Sequence, residues 1–199
     1  MATLGVYTQA DKWSKMGYAS LSQIFNTTFL PLLSRFQEEK ERFVRAMRKS
    51  NRVTAFIACP VSGALIVMAA PIFHLLFGSK WDEAIPLFQI LVARGLLIVL
   101  IAQCNTCILA LGKAGRFVGT EVVKDVLMVG ALFASLPFGS VEALVWGQFF
   151  ASLLTYAYVI YITVRVTFVR LLQYLADLTP YLLLTAAVMA AASLLGTLS

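Results

Sequence analysis

Charge is what this sequence has least of. Asp, Glu, Lys and Arg make up 13% of its 199 residues, about half the share found in soluble domains, while hydrophobic residues reach 60%. A soluble globular domain is excluded. Histidine is nearly absent: His74 is the single one, and the three cysteines are Cys59, Cys104 and Cys107. Cys104 and Cys107 form a CxxC, but there is no second ligand pair, and His74 stands on a different apolar run. Small packing thiols and an interfacial imidazole are therefore read here, with no metal site. No phosphate loop, zinc motif or nucleophile elbow occurs. No catalytic residue and no cofactor are expected, and the chain is not read as an enzyme. The opening "MATLGVY" lacks the basic start, apolar core and small-residue cleavage site of a signal peptide.

Long apolar runs are abundant. They cover residues 53–77, 84–111, 117–138, 141–163 and 178–198, each near the 20 residues a helix needs to cross about 30 Å of hydrocarbon. The stretch 4–33 is long enough to make a sixth. The expectation is an all-α integral membrane protein, a single six-helix transmembrane bundle over residues 1–199.

The few charges are unevenly placed. Loop 34–52 holds Arg35, Lys40, Arg42, Arg45, Arg48, Lys49 and Arg52 against Glu38, Glu39 and Glu41. Lys113 and Arg116 lie in the next loop on the same side, and Arg165 and Arg170 in the third. The alternate loops offer only Lys80. The positive-inside rule puts the basic loops in the cytoplasm and both chain ends outside. Net charge +6 thus reflects topology, and no nucleic-acid partner is expected. The mixed charges of "EEKERFVRAMRKSNR" read as a solvated helical extension, with contact to anionic headgroups as a secondary role. Residues 164–177 read as an interfacial segment before the last span.

Polar groups inside the spans carry the functional signal. Asp11, Lys15, Tyr18, Ser22 and Asn26 repeat at spacings of 4, 3, 4 and 4, one face of a helix. Arg94 lies ten residues into its span, near mid-bilayer, and Asn105 projects from nearly the same face. Glu121, Lys124 and Asp125 share an arc of the fourth span, and Gln148, Ser152 and Thr155 align on the fifth. An ionised group at the bilayer centre costs on the order of 3 kcal/mol, so these charges must face one another or water. For Glu121 and Asp125, pairing between helices and lining a cavity both remain open. Arg94 has no acidic neighbour on its own helix, which favours a cavity.

The motifs "LGVYTQADKWSKM" and "NTTFLPLLSRFQ", with Leu4, Gly5, Tyr7, Ala10, Phe29, Pro31 and Ser34, resemble bacterial polysaccharide exporters. These are the O-antigen and capsule flippases of the MATE-like superfamily. "PIFHLLFGSKWDEA", with Leu76, Phe77, Gly78 and Trp81, and the turn "LGKAGR" are also similar. The resemblance implies one half of a MATE-like transporter fold. It also implies export of undecaprenyl-diphosphate-linked glycan across the inner membrane, with H+ or Na+ as a possible coupling ion. Family members have about twice as many spans, so the chain reads as a C-terminal portion that needs an N-terminal bundle or a second copy. A cation-coupled multidrug exporter, an intramembrane glycosyltransferase and a non-catalytic subunit are the competing readings.

Overall fold

The computed structural model describes residues 25–77, 81–82, 84–167 and 169–196. Regular structure among them is entirely helical. A π-helical turn, Phe25–Phe29, leads into α1 (Leu30–Ser34), α2 (Lys40–Val67), α3 (Ala69–Phe77) and α4 (Ala84–Ala110). Then come α5 (Ala114–Ser135), a 3-10 turn at Leu136–Phe138, α6 (Val141–Thr167) and α7 (Leu171–Gly196).

Four of these are long and apolar enough to cross a membrane: α2, α4, α6 and α7 over Leu171–Ala190. Helix α5 has the length, at 22 residues, but Glu121, Lys124 and Asp125 sit inside it, more charge than the apolar stretch of any of these four carries. The expected span 4–33 lies mostly outside the described residues; only its end, the π-helical turn and α1, is seen. The architecture is all-α with four membrane-crossing helices among the described residues.

Helix α4 is the axis of the packing. It touches α1, α2, α3, α5 and α6, and its side chains are accordingly apolar almost all round, as a helix enclosed by others must be. Leu91, Val99, Leu100 and Ile108 are almost fully buried. Helix α7 packs chiefly on α2, and α5 chiefly on α6. Backbones come close at both contacts. A Cβ placed on Gly63 of α2 would lie 2.5 Å from the Thr185 methyl of α7. One placed on Gly147 of α6 would lie 3.3 Å from the Ala131 carbonyl oxygen of α5. Without a hydrophobic drive between helices in lipid, such close approach is what supplies their packing energy.

The connections follow from local chemistry. Gly112 has φ +68°, its N–H bonds the Leu109 carbonyl at 2.8 Å and the Lys113 N–H bonds that of Ile108 at 3.2 Å. That is the paired 5→2 and 6→1 pattern closing a helix with a left-handed glycine, so the "LGKAGR" turn is a capped stop followed at once by α5. Pro60 is carried inside α2 without a break. Pro71 accounts for the interruption between α2 and α3: it has no N–H for the Val67 carbonyl and its ring crowds that group. The chain keeps its direction there through Met68 N–H to Ala64 O and Ile72 N–H to Met68 O, at 2.8 and 2.9 Å.

Two basic segments differ from their reading as solvated or interfacial stretches. The run after Lys40 is helical, but Phe43, Met47, Ser50 and Asn51 are buried against the bundle. Residues 164–167 finish α6 and 171–177 begin α7, where Tyr174 and Asp177 are buried.

Candidate functional site

Arg94 is reached about 15 Å along α4 from Ala84, and Lys124 about 15 Å along α5 from Ala114, at 1.5 Å per residue. Thirty positions apart, they line one cleft of about 230 Å³, together with Ile98, Ile101, Met128 and Ser152. The cleft is therefore built by three helices: α4 gives the guanidinium and two isoleucines, α5 the ammonium, α6 the hydroxyl.

Arg94 Nε donates to Ser152 Oγ at 3.4 Å, and that hydroxyl donates onward to the Gln148 carbonyl at 2.9 Å. Among the described residues Arg94 makes no ion pair. The Lys124 ammonium is shared between Glu121, one turn earlier on α5, and Asp125 at 3.8 Å. The Glu121 and Lys124 side chains are about one-third exposed, that of Asp125 74%. The cluster thus has one compensated cation, one uncompensated cation and a carboxylate turned off the bundle.

Asn105 is committed elsewhere. Its amide donates to Glu121 Oε1 at 2.9 Å and accepts from Thr120 Oγ1 at 3.0 Å, so it locks α4 to α5 and orients the carboxylate that holds Lys124. Of the fifth-span polar row, Ser152 lines the cleft, while Thr155 is buried and bonded to the Ala151 carbonyl. Asp11, Lys15, Tyr18 and Ser22 lie outside the described residues. So does the side chain of Asn26.

Three arrangements escaped the sequence reading. Asp177, 3% exposed, accepts from Arg48 Nε at 2.7 Å and Nη2 at 3.0 Å, and from Arg52 Nε at 2.7 Å. Its signal was available: it is the only acid in the long apolar run that forms α7. Gln103 on α4 reaches Ser50 Oγ of α2 at 2.6 Å, with the Thr54 hydroxyl 3.4 Å from its Oε1. Asn51, 1% exposed, has neither amide atom hydrogen-bonded among the described residues.

The cysteines are buried and free. Cys104 Sγ lies 3.0 Å from the Tyr174 hydroxyl, itself 3.4 Å from that of Tyr156. No three metal-binding side chains gather among the described residues. His74 Nε2 meets Asp82 Oδ1 at 2.8 Å across a turn, both half-exposed. A second concavity, of about 660 Å³ between α5 and α6, is lined by Gly130, Ala131, Trp146, Phe150 and similar apolar groups. Its one hydroxyl, Ser135, is bonded to the Leu132 carbonyl. It shares no lining residue with the charged cleft.

Membrane-length helices that turn charged side chains into a shared cleft define a multi-pass α-helical membrane protein. A family model described as polysaccharide biosynthesis protein matches residues 1–86. The succinoglycan biosynthesis transport protein ExoT of Rhizobium meliloti (strain 1021) is 26% identical, over 73% of this chain and 30% of that protein. The teichuronic acid biosynthesis protein TuaB of Bacillus subtilis (strain 168) is 22% identical, over 72% of this chain and 30% of that protein. An uncharacterized membrane protein in the cps region of Klebsiella pneumoniae is 26% identical over 59% of this chain and 24% of its own length. No solved structure matches. The chain is similar, at low identity, to bacterial proteins named for polysaccharide biosynthesis and transport. It spans about 30% of the length of the two named relatives it matches most extensively.

Proposed function

We propose that this chain is one transmembrane bundle of an exporter that moves lipid-linked oligosaccharide across the bacterial cytoplasmic membrane. In this reading six spans form half of a MATE-like fold, with the stretch 4–33 supplying the sixth, and a further bundle completes the passage. The bundle binds and conducts; it does no covalent chemistry.

The observation that carries the reading is Arg94, a guanidinium near mid-helix with a hydroxyl partner and, among the described residues, no carboxylate. Facing lipid it would cost on the order of 3 kcal/mol or more; facing a hydrated passage it is a ready partner for an anion. A diphosphate offers oxygens that match its planar fork. Lys124 lies across the same cleft, tuned by Glu121, and the exposed Asp125 marks the wall that fronts water. Asp11, Lys15, Tyr18, Ser22 and Asn26 extend that wall along the first span, where Lys15 would add a cation and Ser22 and Asn26 would meet sugar hydroxyls. The carboxylates are the groups able to titrate with a coupling H+ or to bind Na+.

The test is export by the full-length protein in cells that depend on it. With Arg94→Ala at normal protein level, surface polysaccharide falls and lipid-linked glycan accumulates at the inner face. Undiminished display would remove Arg94, and with it the anion-binding cleft. Lost resistance to cationic drugs, with display intact, would support a multidrug exporter instead.

A further inference from the structure

Four cations and no acid occupy positions 45–52: Arg45, Arg48, Lys49 and Arg52. At 100° per residue they fall within about a quarter of the α2 circumference. Past them the helix is apolar and open: Phe56, 61% exposed, continues the same arc, and Val53 and Ile57, over one-third exposed, flank it on the Lys49 side. The stripe therefore changes from cationic to hydrocarbon-like within one turn, as a helix does where it leaves the headgroup layer.

These arginines are not loose surface charges. Arg48 grips both Asp177 oxygens and Arg52 one of them, from a carboxylate that is itself buried. One carboxylate cannot neutralise two guanidiniums, so the assembly keeps a net positive charge. The Arg48 and Arg52 side chains remain 32% and 52% exposed. Asp177 fixes their orientation, and pre-oriented guanidiniums lose less freedom when they bind an oxyanion. Lys49 is exposed beside them, and Arg42, one turn before Arg45, is already paired with Glu39.

We propose that this edge of α2 and α7 is a binding site for the phosphate of an anionic phospholipid. Arg52, Arg48 and Lys49 hold the headgroup, and the acyl chains lie over Val53, Phe56 and Ile57. The site rests on the chain being a membrane protein and is independent of what that protein exports. Its occupant comes from the bilayer on the side of the basic loops, where anionic headgroups attract such clusters. Asp177 is a positioning residue that touches no lipid.

The experiment is native mass spectrometry of the purified full-length protein, titrated with phosphatidylglycerol or phosphatidylcholine. Wild type is expected to retain phosphatidylglycerol at least several-fold better. The double variant Lys49→Gln/Arg52→Gln leaves Asp177 paired with Arg48 and is expected to lose that preference. Lys49→Gln alone, at an exposed position that leaves both arginine pairs intact, is expected to weaken it. Arg116→Gln/Arg170→Gln removes the same charge from other exposed sites and is expected to leave it unchanged. An equal loss in that control would show a diffuse basic face and overturn the site. Displacement of phosphatidylglycerol by polyprenyl diphosphate at equal concentration would also overturn it, by assigning the arginines to the exported lipid.

Discussion

Asp177 of α7 accepts two hydrogen bonds from Arg48 of α2, 129 positions earlier in the chain, and thereby ties the last described helix to the first long one. Removing one partner of a buried pair typically costs about 3–5 kcal/mol, and of an exposed pair under about 1. Here the acid is buried and the arginines are partly in solvent. Asp177→Ala is expected to lower stability by roughly 1–3 kcal/mol, between those limits, because the freed guanidiniums can turn to water. A thermal unfolding series with Arg48→Ala and the double variant checks it; strictly additive losses would mean the contact contributes nothing.

Charge alone does not describe Arg94. Arg94→Lys keeps the cation but loses the planar fork and the Nε–H directed at Ser152. A hydrogen bond to a charged group is worth about 1.5–3 kcal/mol, so on the exporter proposal Arg94→Ala should reduce export roughly 10- to 100-fold, with Arg94→Lys falling between. Equal export by the lysine variant would show that only the charge matters.

The Gly63 contact makes a rescue prediction. Gly63→Ala drives a methyl into Thr185 and should cost roughly 1–3 kcal/mol, the range for overpacking. Thr185→Ser removes the offending methyl and keeps the hydroxyl that bonds the Tyr181 carbonyl at 2.8 Å. The Gly63→Ala/Thr185→Ser protein should therefore unfold near the wild-type temperature. If it remains as unstable as Gly63→Ala, the crossing of α2 and α7 is looser than described.

Asn51 points the other way. A buried amide without partners carries a desolvation cost of about 1–3 kcal/mol, so Asn51→Leu, close in volume, is expected to raise the unfolding temperature. A fall would mean that the amide has a partner, such as an ordered water.

Much of this architecture is legible in the chain because a bilayer punishes mistakes. Apolar length marks the helices, and the cost of a bare charge in hydrocarbon directs Arg94 and Lys124 toward one another or water. Helix partners are less legible. Asn105 reads from periodicity as a neighbour of Arg94, yet its amide bonds Thr120 and Glu121, because periodicity gives a face and not what stands opposite. Asp177 is hard to read for a related reason: an acid at the edge of an apolar run reads as solvated until a helix from 129 positions away covers it. Nor does proline alone mark a break: Pro71 follows the one between α2 and α3, whereas Pro60 leaves its helix intact.

The charges inside α5 bear on how the protein is made. A segment holding Glu121, Lys124 and Asp125 is a poor candidate for entering the bilayer unaided. Its neighbours offer relief: Asn105 of α4 bonds Glu121, and the tight turn at Gly139, with φ +59°, hands the chain directly to the apolar α6. Glycosylation reporters fused after α5 are expected to show incomplete translocation when it is placed alone behind a leader, and efficient integration of α5 and α6 together once α4 precedes them. Biogenesis of this region then proceeds by cooperative entry of a helical hairpin, with α4 acting as its chaperone in cis.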